Sequence, residues 1–415
     1  MKQGFPKVPS LTKYISEVAA KKYSEVGHVL RVGIDPFVHP ASFEKDLTDA
    51  FKAAAEKSDV SNETNVGSIE TLDGHENLVD QVWGDARPPM PTSPFRVHPL
   101  EYAGKSIAEK VDEIRDEMED KKTTLSVFSA LDDVAYLFNV RTKGDIDYCP
   151  VGLAYGTISE NEIILYCDDA KLATDDVKEH LRESGVTMKL YDGLLDDIEE
   201  HIASSDDAKI WIDKTRSSYA ITRVIPEKAL VNSQSAVTAM KACKNKEEMA
   251  GMKRAHIVDG AAMAHFIAWL ENEVVNVGRS VSEVEIDEVL TGLRAQQPGY
   301  VEDSFPTIAG VGSNGAIIHY RAKAGSDLLQ HLDQNNPILI DSGGQYTYGT
   351  TDVTRTWHFG ESTPEFKENY TRVLKGNIGV DTMIFPTGTP GFVLDVFARK
   401  SLWEAGLDYG HSTGK

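Results

Sequence analysis

Apolar residues in the first stretch of the chain recur on a helical period. "LTKYISEVAAKKYSEVG" predicts an amphipathic helix, and "RVGIDP" predicts a short buried strand closed by a proline turn. From Ser58 to Gly74 the chain is polar and rich in Gly, Asn and Ser, the pattern of a long surface loop. "GDARPPMPTSP", Gly84 to Pro94, carries four prolines and cannot sustain a ladder or a helix. It is the natural linker, and it places a domain boundary near residue 95.

Beyond the linker the period alternates. "SIAEKVDEIRDEMEDK", "LDDVAYLFN", a segment from Thr174 and an acidic segment from Leu194 read as helices. "TLSVFSA", "VGLAYGTI", "EIILYCDD", "TMKLYD" and "KIWIDK" read as strands. Such alternation predicts an α/β domain with a mixed sheet. A third segment opens at "NKEE", where Asn245 is placed to cap a helix and Glu248 to answer it. Met252, His256, Met263, Ile267 and Leu270 then share one face, so His256 reads as a core histidine. "SVSE", Ser280 to Glu283, repeats the capping pattern before a second helix, and strands "SFPTIAG" and "GAIIHY" follow. The resulting division is 1–94, 95–238 and 239–415.

Composition narrows the class of partner. The chain has 415 residues and a net charge of −22, so nucleic acid or an anionic membrane is disfavoured as its main partner. Cys149, Cys167 and Cys243 are widely spaced with no C-x-x-C pair, which suits buried or half-buried thiols in a reducing compartment. The start lacks a leader pattern and no 18-residue apolar run occurs, so the expected location is the cytoplasm.

The chemistry concentrates in "PILIDSGGQYTYGTTDVTRTWHFG", Pro337 to Gly360. An apolar run reaches Asp341, a Gly-rich turn follows, and a Thr/Val-rich strand carries Asp352, eleven positions on. A hairpin centred near Tyr346 to Tyr348 sets the two aspartates opposite or diagonally across one antiparallel pair. Two carboxylates that close repel, and a divalent cation between them resolves the conflict. Oxygen ligands favour Mn, Mg or Ca, with Zn or Co if a histidine joins. Taken alone, the same pair is a weak signal and is more readily read as turn-capping aspartates at strand ends.

The wording around the pair resembles the metal-binding hairpin of Xaa-Pro aminopeptidases (aminopeptidase P), M24 metallopeptidases of the cytosolic eukaryotic three-domain type. The likeness extends in order through "ENLVDQVWGDARPP", "SALDDVAYLFNVR", "GMKRAHIVDG", "SFPTIAGVGSNGAIIHY", "VLKGNIGVDTMIFPTGT" and "FARKSLWEAGLDYGH". It implies an α/β (α+β) chain, creatinase-like N-terminal domains followed by an incomplete pita-bread catalytic domain. It implies two divalent metals, most readily Mn2+, with Asp341 on one and Asp352 bridging both. His319 matches a histidine beside the scissile carbonyl, and His411 a substrate-side histidine. The reaction implied is release of the N-terminal residue from peptides with proline in second position, by a homodimer.

The family's ligand histidine falls where this chain has Lys415, whose protonated amine has no lone pair to give. A further histidine and two glutamates follow in the family, so truncation at both ends and impaired activity are expected. "GHSTGK" is no phosphate loop, because Tyr409 stands where that motif needs glycine. The other reading, a non-catalytic pita-bread binding module, is disfavoured by the retained aspartate pair. A prodipeptidase fits less well, since those enzymes lack tandem N-terminal domains.

Overall fold

A computed structural model describes residues 8–57, 66–72 and 77–413. The chain divides into two compact units, Met1–Ala250 and Gly251–Lys415.

The first unit opens with α1 (Leu11–Val26), whose start is closed by the Ser10 hydroxyl accepting from the Lys13 amide and whose end is closed by Gly27 in the left-handed region. β1 (Leu30–Ile34) follows, then α2 (Ala41–Lys57) and β2 (Gly67–Thr71), and the two strands pair in parallel. Here the expected loop from Ser58 to Gly74 is corrected. Gly67–Thr71 form a strand, while residues 58–65 and 73–76 lie outside those described. Gly67 is there for close approach and not for flexibility: a Cβ would sit 2.5 Å from the Phe51 ring. Phe51, Leu47, Ala55 and Val66 form the small core beneath.

The larger part of the unit is a six-stranded mixed sheet. Its strands are β3 (Leu125–Phe128), β4 (Ala154–Ser159), β5 (Ile163–Cys167), β6 (Val186–Leu190), β7 (Ile210–Ile212) and β8 (Leu230–Asn232), in the order β8-β7-β3-β4-β5-β6. β4 runs antiparallel to both neighbours, and the remaining pairs are parallel. Both faces are covered. Along β5, Ile163, Leu165 and Cys167 enter one core with Phe128, Val111 and Ile114, while Ile164 and Tyr166 enter the other with Leu125, Val127 and Ile198. Period-two alternation thus feeds two apolar layers, and each fully buried aliphatic side chain contributes about 1.5–3 kcal/mol. No disulfide joins the cysteines; Cys167 is buried, Cys149 half-buried, and Cys243, expected inside, is exposed.

α3 (Lys246–Glu271) begins in the first unit with the predicted cap: the Asn245 side chain accepts from the Glu248 amide at 2.9 Å, and the Glu248 carboxylate accepts from the Asn245 amide at 2.9 Å. Its buried stripe in the second unit is Gly251, Ala255, Asp259, Ala262, Phe266 and Leu270. His256 is therefore not a core residue. It is exposed, one position off the stripe, with Nδ1 against the Met252 carbonyl oxygen at 2.8 Å.

The main elements of the second unit after α3 are α4 (Glu283–Ala295), β9 (Tyr300–Asp303), β10 (Ile308–Val311), β11 (Ile338–Ser342), β12 (Gly344–Tyr346), β13 (Gly349–Thr350), β14 (Val353–Trp357), α5 (Pro364–Asp381) and α6 (Gly391–Trp403). α4 is capped by Ser282, which accepts from the Glu285 amide at 3.1 Å, and not by Ser280 with Glu283 as the sequence suggested. Two three-stranded sheets, β10-β11-β14 and β9-β12-β13, share the loop-back of one long hairpin. Ile338 and Ile340 bury their side chains against Phe266, Leu270, Ile286 and Leu290. α5 and α6 pack together but leave Ile378, Ile384, Phe392, Val396 and Trp403 among many exposed apolar side chains. "GAIIHY" is not a strand: a 3-10 turn covers Gly312–Ala316 and the chain then bends through His319. The Ala316-Ile317-Ile318 run invited the strand reading, but its isoleucines are exposed.

Candidate metal centre

Asp341 sits near the end of β11, between Ile308 of β10 and Thr354 of β14. The same register carried one step past Ser342↔Val353 sets Asp352 diagonally across from Asp341, as the eleven-residue spacing predicts. Diagonal neighbours on such a pair are about 7–8 Å apart, close enough for side chains to meet. Gly343 makes the bend possible, because a Cβ there would lie 1.9 Å from the Thr351 carbonyl oxygen. Thr351, fully buried, accepts from the Gly344 amide at 2.9 Å through its hydroxyl, which fixes the backbone just before Asp352.

Asp341 is half-buried and its Oδ1 is shut off from solvent with no hydrogen-bond partner among the described residues. Burial holds its pKa above the usual carboxylate range. The Asp352 carboxylate pushes the same way, against the Thr354 hydroxyl and His319, which favour the charged form. The Asp341 carboxylate therefore lies within electrostatic reach of Asp352 and of His319. His319 is exposed and adopts a left-handed backbone, φ 55°. His411 is not brought to the pair among the described contacts. Its Nδ1 faces the Ser412 carbonyl oxygen at 2.7 Å, its ring meets Tyr409, and its own carbonyl accepts from Arg399.

Behind the strand lies a group that no motif or spacing singles out. Arg294, fully buried, donates to Asp259 through Nε at 2.7 Å and to the Ser342 hydroxyl through Nη2 at 3.0 Å. Tyr346 donates to the same aspartate at 2.8 Å. Ser342 points away from the Asp341 face, so this network pins β11 from the side opposite the carboxylates.

The donor set fits a hard divalent cation. An orphaned, partly desolvated carboxylate oxygen beside a second carboxylate is relieved by positive charge, and oxygen ligands suit Mn2+ or Mg2+. Among the described residues no group of three or more His, Cys, Asp or Glu side chains is arranged to hold a metal, so the pair supplies only part of a coordination sphere. No helix among them is long and apolar enough to cross a membrane.

Comparison with known proteins matches residues 86–248 to the Creatinase/Prolidase N-terminal domain and residues 250–415 to Metallopeptidase family M24. A probable Xaa-Pro aminopeptidase P of Ajellomyces capsulatus is 40% identical over 425 residues, covering 100% of this chain and 65% of the relative. A protein of the same description from Sordaria macrospora is 40% identical over 422 residues with the same coverage. The crystal structure of X-prolyl aminopeptidase from Caenorhabditis elegans, described as a cytosolic enzyme with a di-nuclear active site, superposes with a TM-score of 0.87 at 31% identity, covering 99% of this chain and 63% of that one. The chain thus spans about 65% of the length of the curated relatives it matches.

Proposed function

Because this chain belongs to metallopeptidase family M24, with a creatinase/prolidase-type domain before the catalytic segment, we propose that it serves an aminopeptidase that removes the residue preceding an N-terminal-proximal proline. The observation that carries the reading is Asp341 Oδ1, buried, unpartnered and facing a second carboxylate.

Asp341 and Asp352 would hold two divalent ions, Mn2+ in our reading, together with ligands from the rest of the enzyme. Lewis acidity toward the scissile carbonyl, and a water acidic enough to attack near neutral pH, are what such a pair supplies when bound. Thr354 favours the charged form of Asp341, the form a cation needs. His319, exposed beside the pair, would donate a hydrogen bond to the carbonyl oxygen as charge builds on it. The bond to proline is a tertiary amide with no N–H, so the site needs no acceptor for that nitrogen. His411 we assign to the substrate side of the whole-length site.

The three-part division at 94 and 238, a cytosolic location and a homodimeric assembly belong to the same proposal. The 415 residues alone are expected to hold Mn2+ weakly and to turn over little.

Calorimetric titration of Mn2+ into the chain tests the assignment. Binding should be weak and should vanish in Asp341→Asn and in Asp352→Asn. In the whole-length enzyme, cleavage should require proline in second position and be lost in the same two variants. Hydrolysis that survives Asp341→Asn would sink the proposal.

A further inference from the structure

His319 stands in the left-handed backbone region, φ 55°, which few residues other than glycine occupy, and its neighbours hold it there. The next residue supplies the hold. Tyr320 is 5% exposed and donates its hydroxyl to Glu283 Oε2 at 2.7 Å. Glu283, 0% exposed on the first turn of α4, also accepts from the Val311 amide at 2.8 Å, the Gln330 amide at 2.9 Å and the Asn314 side chain at 3.0 Å. Asn314 in turn donates to the Leu328 carbonyl at 2.7 Å. The Ile317 amide bonds the Asn314 carbonyl and the Tyr320 amide bonds the Ile317 carbonyl, both at 3.1 Å, so the chain winds through two tight turns into the anchored tyrosine.

We infer that Glu283, acting through Tyr320, is the positioning residue that sets the His319 imidazole beside Asp341. The role of the imidazole in hydrolysis rests on the function proposed above; the geometric claim does not. One buried carboxylate gathers the end of β10, the 312–320 turns and the chain at Gln330. With those four donors fixed, the left-handed backbone at residue 319 sets the direction in which the Cα–Cβ bond of His319 leaves the turn.

The test is made on the 415-residue chain without metal, with histidine carrying 13C at Cε1, at one fixed pH. His319→Asn assigns the signal. Asp341→Asn should move the His319 signal in the wild-type background, and in a Tyr320→Phe background that displacement should fall at least about threefold, as expected of coupled neighbours. Signals from His256 and His358 should stay in place, which separates a local loss of placement from general loosening. An undiminished displacement in Tyr320→Phe overturns the inference, as does the same result in Glu283→Gln should the first variant fail to fold. Amides of Ile317 and Tyr320 that exchange with deuterium as freely as an open peptide in the unmutated chain would overturn it too. A wild-type His319 signal indifferent to Asp341→Asn refutes instead the placement on which the proposed function depends.

Discussion

Glu283 and Asp341 are both carboxylates withdrawn from water in the second unit, one at the head of α4 and the other near the end of β11, and their surroundings differ in kind. Glu283 meets donors on every side: two backbone amides, an asparagine and a tyrosine, with no cation paired to it among the described residues. Asp341 keeps an oxygen without a partner and faces another carboxylate. A fully donated carboxylate is a structural joint, since hydrogen bonds to a charged group are strong and satisfy the lone pairs that burial would strand. A carboxylate left short of donors is a vacancy for positive charge. Burial alone does not separate the two, and the count of donors does.

The sharpest way to break this contrast is to remove each carboxylate in turn. Glu283→Ala strands several buried donors at about 1–3 kcal/mol each, so urea unfolding should show a loss of at least about 3 kcal/mol. Asp341→Asn should leave metal-free stability unchanged or slightly raised, by less than about 1 kcal/mol, because it removes a repulsion. It should also abolish any rise in melting temperature on adding Mn2+. Equal losses in both variants would erase the distinction.

Acidity gives the smallest and most specific effect. Asp341 has a folded-state pKa above its unfolded value, so the native state keeps that proton longer than the unfolded chain does. Its contribution is most favourable below the ordinary carboxylate range and is lost as pH rises through the raised pKa. The stability difference between wild type and Asp341→Asn should therefore narrow as pH falls from neutral into mild acid. A difference flat with pH would mean that the pair is not coupled as described.

Much of this arrangement was legible before any coordinates, and the reasons are local. The Asn245–Glu248 box follows from hydrogen bonds within one helical turn. The diagonal placement of Asp341 and Asp352 follows from strand period and hairpin length. The Glu283 joint was misread, because its four partners come from residues 311 to 330 and no spacing rule connects them to the head of a helix. Tyr320 and His319 read as strand residues from sequence, since "AIIHY" alternates poorly but is β-branched and aromatic. β2 was hidden by a partner 37 residues upstream at Leu30. Arg294 and Asp259 were invisible because an ion pair buried between two helices leaves no periodic trace.

The left-handed turn at residue 319 also decides which replacement can be trusted at that position. Asn and Gly accept this backbone readily, whereas a β-branched or large apolar residue must either strain it or flip the turn. A null variant made with valine would confound loss of the imidazole with collapse of the segment from Asn314 to Tyr320. Asparagine removes the ring and leaves the turn as it stands, so the choice of allele, more than the assay, determines whether a silent enzyme means a missing proton donor or a misplaced chain.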